Sequence, residues 1–396
     1  MKIVFLRAYD FPYGGAAQNR LLAIAQGVLE SGNESEVHQF TPAKLDIIEN
    51  HKKTQIFNGV PVWNHAAKYS PIKGKKDKVL GISVGLWKTI LALRKSHKKS
   101  KIDFLFINSE KNLYTVIFWL FGKLIGAKLG RDLNEYPSYF IHEKKINSVI
   151  LWYKEKTNYR FFDFIFVISN PLKEYYAERV KKSCKILNLP VSVNMDRFVK
   201  PTITKTKSQN ITYCGDLSQQ KDGVFDLIKA FKKITNKYPT HRLKLVGHNK
   251  STKHMNKLHE LVCELNIQDR VDFIGYISAD KIPRALADSQ LLVLARPNSK
   301  QALGGFPTKL AEYLSTSIPV VVTMVGEIPL FLKHLESGYL ALPDSPNDFS
   351  KVMDLALSDT EQSVKVGLNG FQVARKYFSH SNQGEIISQF LINNYL

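Results

Sequence analysis

Short apolar runs alternate with amphipathic helical segments along the whole chain. In the first half, KIVFL (2–6) precedes a helical segment at 17–32, and the alternation restarts in the second half at ITYCG (211–215). Apolar runs of about five residues between helices are typical of parallel strands covered by helices on both faces. The pattern therefore predicts an α/β fold made of two doubly wound, Rossmann-like domains.

The alternation is interrupted once, near the middle of the chain. Residues 184–201 lose it, and the polar run TITKTKSQN follows. We therefore expect an N-terminal domain at 1–200 and a C-terminal domain at 201–375, since 396 residues suit two domains. A last helix at 376–396 is expected to cross back over the first domain. Because ligands of such domains lie beyond the carboxyl ends of the strands, we also expect a cleft between the two domains.

The composition indicates a folded protein of a reducing compartment. Hydrophobic residues make up 44% of the chain, and the apolar run after Met1 is too short for a signal peptide. The best candidate for a membrane span, at 112–126, is interrupted by Gly122 and Lys123. The three cysteines are scattered without the spacing of a metal site, and we expect them to be core thiols.

The formal net charge of +21 indicates an anionic partner. The charge is dense at IKGKKDK (72–78) and RKSHKKSK (94–101), in the same half as the aromatic, apolar stretches 116–126 and 149–162. Basic residues beside aromatic ones suit an anionic membrane surface. Nucleic acid is the weaker alternative, because no helix-turn-helix, zinc-finger or RNA-recognition signature accompanies the charge. A second alternative is that the aromatic residues are core and the lysines are merely solvated.

The run GGFPTKLAEYL, from Gly304 to Leu314, has the pattern of a nucleotide site. Pro307 fits the first position of a helix, whose free N–H groups and dipole favour an anion. Gly304 and Gly305 let a phosphate approach the backbone. Lys309 and Glu312 share one helix face, with the lysine near a phosphate and the carboxylate accepting hydrogen bonds from a ribose diol. Taken alone, the run also fits an ordinary helix start.

Two further loops follow strands at places suited to phosphate. Gly14 and Gly15 come between the first strand and the first helix, although without a complete dinucleotide-binding pattern. In YCGDLSQQKDG, Gly215 ends a strand and Lys221 precedes a helix, where a cation and a helix dipole would stabilise a phosphate together. The alternatives are a plain turn for the first loop and a surface lysine for the second.

A third loop, LGRDLNEYP (129–137), ends a strand of the first half in polar groups. Asp132, Asn134 and Glu135 are candidates for acceptor contact or general-base catalysis. Arg131 is an alternative partner for one of these side chains. His142 follows in a loop where an exposed position is the expected one, and no cluster of ligand residues indicates a metal.

Together these motifs resemble the retaining nucleotide-sugar glycosyltransferases of family 4, which have the two-domain GT-B fold. The matching pieces, in order, are Gly14–Gly15, G-x-L-x-x-x-K-x-G at 215–223, KLVG at 244–247, FIGY at 273–276 and GGFPTKLAEYL at 304–314. The resemblance covers essentially the whole chain and is strongest in the second half.

The resemblance implies roles for particular residues. Lys221 would bind the donor phosphates, Glu312 the ribose, and the glycine loop both donor and acceptor. It also implies retention of the anomeric configuration, with positive side chains neutralising the leaving diphosphate and no metal or cofactor required. The expected donor site comprises Gly14, Gly15, Gly215, Lys221, Gly304, Gly305, Thr308, Lys309 and Glu312, and the candidate catalytic residues are Lys221, Glu135 and Asn134.

The chain departs from the family pattern at two positions. Gly304 stands where the family usually has a glutamate that touches the donor sugar, which puts the identity of the sugar in doubt. Asp216 stands where an arginine is usual, so that Lys221 must supply phosphate charge with help from Lys309 or Arg296.

The function expected from the sequence is transfer of a sugar from a nucleoside diphosphate to a glycan acceptor. The acceptor is expected to be lipid-linked, such as a polyprenyl-linked glycan, in the synthesis of capsule, lipopolysaccharide or another cell-surface polysaccharide. The enzyme is expected in the cytoplasm, peripheral on the inner face of the membrane, without binding nucleic acid. The alternatives are an inactive scaffold of a polysaccharide-assembly complex, a basic nucleic-acid-binding protein, and a related GT-B phosphorylase or epimerase.

Overall fold

The chain divides into two compact units. A computed structural model describes residues 1–8, 10–44, 46–109, 111–137, 157, 159–198 and 208–396. Unit 1 comprises Met1–Val193 with His380–Leu396, and unit 2 comprises Asn194–Ser379. The units meet in sequence a few residues before the expected boundary at 200, and the last segment begins at residue 380 instead of 376.

Unit 1 contains an eight-stranded sheet in the order β3-β4-β2-β1-β5-β6-β7-β8. All neighbouring strands are parallel except β3 and β4, which pair antiparallel at one edge. The strands are β1 (Lys2–Arg7), β2 (Glu34–Gln39), β3 (Thr54–Phe57), β4 (Val60–Asn64), β5 (Phe104–Asn108), β6 (Lys128–Leu133), β7 (Phe164–Val167) and β8 (Lys185–Asn188).

The described helices of unit 1 connect and cover these strands. They are α1 (Ala16–Glu30), α2 (Ile48–His51), α3 (Lys75–Lys99), α4 (Asn112–Ile125) and α5 (Asn170–Ala177), and the chain returns to the unit at its end as α15 (His380–Tyr395).

The helices α1 and α15 pack together closely through glycine. A Cβ atom added at Gly27 would lie 1.9 Å from the carbonyl oxygen of His380, and one added at Gly384 would lie 2.0 Å from that of Gly27. The apolar side chains of both helices form one core with the central strands. It contains Ile387 of α15 together with Phe5 of β1 and Phe106 of β5. The last helix of the chain is thus part of the core of unit 1.

Unit 2 contains a six-stranded, fully parallel sheet in the order β11-β10-β9-β12-β13-β14. The strands are β9 (Asn210–Cys214), β10 (Arg242–Val246), β11 (Val271–Gly275), β12 (Leu291–Leu294), β13 (Val320–Thr323) and β14 (Tyr339–Ala341). The central strands β12 and β13 are buried at every residue, as expected for a sheet covered on both faces.

Helices follow every strand of unit 2. They are α6 (Gln219–Asp222), α7 (Val224–Ile234), α8 (Thr252–Glu264), α9 (Ile282–Ala287), α10 (Lys300–Gly304), α11 (Thr308–Leu314), α12 (Ile328–Phe331), α13 (Pro346–Ser358) and α14 (Thr360–Val373). The amphipathic segment predicted after ITYCG is α7, and its apolar residues Val224, Leu227, Ile228, Phe231 and Ile234 are all buried.

The structure adds two edge features that the sequence does not predict. The segment at 184–201, where the alternation of strands and helices is lost, contributes the edge strand β8. The β3–β4 hairpin adds one antiparallel pair to the otherwise parallel sheet of the first unit. In the part of the chain that the structure describes, no helix has the length and apolar character needed to cross a bilayer.

Candidate functional site

The strand order of unit 2 reverses between β9 and β12. From β9 the chain proceeds to β10 and β11 on one side, then returns to β12 on the other. Ligands of open α/β sheets bind at the carboxyl ends of the strands at such a reversal. Gly215 follows the last residue of β9, so it lies at this point of the sheet.

The loop after β9 holds Lys221 in a short helical turn. Ser218 is the N-cap residue of α6, and its hydroxyl accepts a hydrogen bond from the Lys221 N–H group at 3.3 Å. Gly223 then adopts the left-handed conformation (φ +68°), and a Cβ atom there would lie 1.8 Å from the carbonyl oxygen of Ala295. The glycine therefore lets the loop lie against the end of β12 before α7 begins. The local arrangement agrees with the predicted order of strand, loop and helix.

Lys309 reaches across to this loop from α11. Its ammonium lies 2.7 Å from Oδ2 of Asp222, whose side chain is fully buried. The Tyr213 hydroxyl, kept protonated because burial raises its pKa well above the usual value, lies 2.9 Å from the same oxygen. The lysine stem covers Gly215 so closely that a Cβ atom there would lie 1.8 Å from its Cε atom. The pair thus fixes the position of the Lys309 cation beside the end of β9.

Glu312 lies one helical turn further along α11 and forms an ion pair with Arg197. Nη1 of Arg197 is 3.4 Å from Oε1 of Glu312, and Nη2 donates a hydrogen bond to the carbonyl oxygen of Ala279 at 2.8 Å. Burial raises the pKa of the Glu312 carboxyl, while the positive charges of Arg197 and Lys309 oppose that rise. The carboxylate expected to bind ribose is therefore largely buried, with a cation as its partner.

The glycine run before α11 differs from the predicted local structure. Gly304 is the last residue of α10, and Gly305 is extended. Pro307 precedes the helix as its N-cap residue, and α11 begins at Thr308, so the prediction of Pro307 at the first helical position is wrong by one residue. The Leu310 N–H group donates to the carbonyl oxygen of Pro307, and α11 has only seven residues. So short a helix contributes little dipole at its start, and the lysine side chains are the main groups that could bind a phosphate.

In unit 1 the glycine loop lies at the corresponding reversal of strand order, between β1 and β5. Gly15 is the N-cap residue of α1, and its N–H group donates to the side-chain oxygen of Gln18 at 3.0 Å. A Cβ atom at Gly14 would lie 2.5 Å from the Gln18 side chain. The loop is closed by this local hydrogen bond and remains partly exposed.

The polar residues after β6 are organised by a buried ion pair that the sequence did not indicate. Arg20 of α1 donates to both carboxylate oxygens of Asp132, at 2.8 and 3.1 Å. The suggested partner Arg131 instead lies over the ring of Phe162. Asp132 is consequently held in a bidentate pair with both side chains almost fully buried, which makes it a poor general base.

Asn134 and Glu135 differ in how they are held. The amide nitrogen of Asn134 donates to Asp132 at 2.8 Å, whereas its Oδ1 atom is buried without a hydrogen-bond partner among the described residues. Glu135 exposes its side chain, and its backbone oxygen accepts a hydrogen bond from Tyr176. His142 lies outside the described residues.

The structure groups the predicted residues by unit. Unit 2 brings together Gly215, Lys221, Lys309 and Glu312, with Gly304, Gly305 and Thr308 leading into α11. It adds Asp222 and Arg197, which sequence reasoning missed although Asp222 directly follows Lys221. Both act through partners distant in sequence, so no local pattern reveals them. Within unit 2, the described residues do not gather three groups able to ligate a metal ion.

Comparison with known proteins gives a family match within the second unit. Residues 194–373 match the family described as "Glycosyl transferases group 1". A relative from Bacillus anthracis, N-acetyl-alpha-D-glucosaminyl L-malate synthase, is 28% identical over 167 residues, which are 42% of this chain and 40% of the relative. The chain spans two fifths or less of the length of the curated relatives it matches.

Two solved structures are similar over nearly the whole chain. Anabaena HepE in complex with UDP superposes with a TM-score of 0.70 at 18% identity, covering 99% of this chain and 100% of that one. The lipopolysaccharide outer core galactosyltransferase WaaB superposes with a TM-score of 0.61 at 17% identity, covering 99% and 100%. At these identities the likeness concerns the fold. The chain therefore has the GT-B fold, and its residues 194–373 match the family of group 1 glycosyl transferases.

Proposed function

We propose that this protein is a retaining glycosyltransferase that moves a sugar from a nucleoside diphosphate to a glycan acceptor. The observation that carries the proposal is the arrangement in unit 2, where Lys309 and Glu312 lie on one short helix beside the Gly215–Lys221 loop. Cations and a carboxylate at the reversal of strand order suit a diphosphate and a ribose. The group 1 family match and the solved UDP complex of a GT-B neighbour support this reading.

In the proposed donor site, Lys221 and Lys309 bind the diphosphate and Glu312 accepts hydrogen bonds from the ribose diol. The glycines at 215, 304 and 305 allow the donor to approach the backbone, and Thr308 offers a hydroxyl at the start of α11. The two lysines neutralise the charge that develops on the leaving diphosphate, so the chemistry requires no metal or cofactor.

Acceptor recognition is assigned to the first unit. The buried Oδ1 atom of Asn134 offers an acceptor for a sugar hydroxyl, and the exposed side chain of Glu135 is the proposed group for proton transfer. Gly14 and Gly15 place a partly exposed loop between β1 and α1. The WaaB neighbour supports a glycan acceptor in the synthesis of lipopolysaccharide, capsule or a similar polysaccharide, and a polyprenyl-linked glycan fits the proposed location at the membrane.

Helix α3 supports attachment to the inner face of an anionic membrane. Its buried face consists largely of small residues, including Gly81, Gly85 and Thr89. Leu80, Trp87 and Leu91 lie on the opposite face, and the Trp87 side chain is 62% exposed. The helix carries eight lysines and arginines against one aspartate. Exposed aromatic and aliphatic residues flanked by cations are typical of interfacial helices.

Turnover of nucleotide sugars tests the proposed activity. We expect one nucleotide sugar to bind and to be slowly hydrolysed by the wild type, and Lys221→Ala and Glu312→Ala to lose this activity. Lys365→Ala, an exposed lysine of α14 in the same unit, serves as the control and should behave as wild type. A folded protein that binds no nucleotide sugar would instead favour the alternative of an inactive scaffold in a polysaccharide-assembly complex.

Vesicle sedimentation tests the membrane face. We expect the wild type to bind vesicles that contain anionic lipid, and we expect salt to weaken this binding. The double variant Trp87→Ser/Leu91→Ser should bind at least about tenfold more weakly, because two interfacial side chains are lost. Leu330→Ser, an exposed leucine of unit 2, is the control. Equal binding of all three proteins would contradict the assignment of this face. Salt-sensitive binding to duplex DNA, unaffected by nucleotide sugar, would favour the nucleic-acid alternative.

A further inference from the structure

The guanidinium of Arg197 contacts Glu312 on one side and the backbone at Ala279 on the other. The contacts are 3.4 Å to Oε1 of Glu312 and 2.8 Å to the carbonyl oxygen of Ala279. Arg197 closes a short 3₁₀ turn, Met195–Arg197, which Asn194 caps by accepting a hydrogen bond from the Asp196 N–H group. Because two nitrogens of one planar group are engaged, the arginine is fixed in direction as well as in place.

We infer that Arg197 is a positioning residue that keeps the Glu312 carboxylate ionised and oriented for a ribose diol. The inference rests on the proposed function. It adds Arg197 to the proposed donor site, and it requires a donor whose ribose carries both the 2′- and 3′-hydroxyl groups. The Glu312 side chain is only 16% exposed, and a carboxylate so enclosed is costly without a cationic partner. Arg197 occupies one of several lone-pair directions of the carboxylate, so others remain for a ligand.

The surroundings of Glu312 make its charge sensitive to the loss of Arg197. Arg197 and Lys309 are the cations that face it, and the neutral thiol of Cys214 and hydroxyl of Tyr313 are the other titratable groups nearby. Lys309 is already paired with Asp222. Burial raises the pKa of the Glu312 carboxyl, and removal of Arg197 raises it further. Ionised carboxylate, and with it strong diol binding, exists above this pKa and disappears as the pH falls through it.

The experiment compares ribonucleotide with deoxyribonucleotide binding as a function of pH. Calorimetry is done with UDP, ADP and GDP, each beside its 2′-deoxy counterpart, from about pH 5 to about pH 9. Both ligands of a pair carry the same diphosphate, so the effect of its titration cancels in the ratio of their affinities. We expect the wild type to prefer the ribonucleotide by about tenfold or more. As the pH is lowered, Arg197→Met should lose this preference at a higher pH than the wild type does.

Three variants separate positioning from a general structural role. Arg197→Lys keeps the positive charge and should retain most of the preference for ribonucleotide near neutral pH. This variant also tests the role of Arg197 if Arg197→Met does not fold. Glu312→Gln should lose the preference at every pH, and adding Arg197→Met to it should change nothing further. Arg375→Met removes an exposed arginine of the same unit and should match wild type.

The outcomes distinguish this inference from the proposed function. If the wild type binds none of the nucleotides, both fail. If the wild type prefers ribonucleotides and Arg197→Met shows the same preference and pH profile, only the role of Arg197 fails. Tighter ribonucleotide binding by Arg197→Met would also overturn it, because the arginine would then obstruct the carboxylate.

Discussion

Single buried charges decide the geometry of the candidate site. Lys309 and Asp222 come from segments 87 positions apart, and the aspartate has no exposed side-chain surface. Removing one member leaves the other charged and enclosed, which is more costly than the pair contributes when it is intact. The same reasoning applies to Arg20 and Asp132 in unit 1, whose side chains are 2% and 3% exposed.

Replacing Asp222 with Ala should therefore destabilise unit 2 by about 3 kcal/mol, and Lys309→Met should do so by a similar amount. The double variant Asp222→Ala/Lys309→Met should lose less than the sum, because it leaves no uncompensated charge. Urea unfolding followed by circular dichroism measures these differences. Lys365→Met breaks only the exposed pair with Glu361 and should change little; strictly additive losses in the double variant would contradict the coupling.

Glu36 gives unit 1 a dependence on acid pH. Burial alone would raise the pKa of its carboxyl, but His38, Ser96 and Lys2 together lower it from 4.5 to about 2. The pKa is lower in the folded state, so the stabilisation is complete above about pH 4.5 and is lost as the pH falls toward 2. It amounts to at most about 3 kcal/mol. Glu36→Gln should flatten the unfolding free energy over this range, and an unchanged slope would contradict the assignment.

At the level of elements, the sequence predicts fully buried strands better than the half-exposed strands of unit 1. The strands β1 and β9 are continuous apolar runs, and both lie where the sequence predicts them. The strands β3, β4 and β8, which the sequence does not predict, contain partly exposed residues and give short runs without a strong apolar signal. Local patterns likewise make Lys221, Lys309 and Glu312 candidates, but could not reveal Arg197 or Asp222, whose contacts with Glu312 and Lys309 form only after folding.

The packing of α1 on α15 depends on two glycines that a sequence pattern does not distinguish from others. Because a Cβ atom at Gly384 would lie 2.0 Å from a backbone oxygen, Gly384→Ala must push the helices apart. We expect a loss of about 1–3 kcal/mol in the stability of unit 1. Gly74→Ala is the control, since nothing lies within 4 Å of its added atom. Equal stability of the two variants, measured by thermal unfolding, would contradict the close contact.

At the scale of the whole molecule, the first unit is completed by the last segment of the chain. Ile387 and Leu391 of α15 are at most 1% exposed and belong to the same core as the first strands. The Tyr395 hydroxyl donates to the carbonyl oxygen of Asp163, next to β7. Unit 1 therefore cannot complete its core without α15, whereas unit 2 is continuous in sequence from Asn194 to Ser379.

Deleting residues 380–396 should consequently destabilise unit 1 and spare unit 2. The four tryptophans all precede residue 193, so their fluorescence reports unit 1 alone, while nucleoside diphosphate binding reports the proposed donor site of unit 2. We expect the tryptophan transition to occur at a lower urea concentration, because two buried aliphatic residues are lost with the helix. The shift should correspond to a loss of several kcal/mol in the unfolding free energy of unit 1. Nucleotide affinity should stay within a few-fold of wild type. Removal of Leu396 alone, which is 66% exposed, should leave both signals unchanged, and a truncated chain with the wild-type tryptophan transition would show that α15 is not part of the unit 1 core.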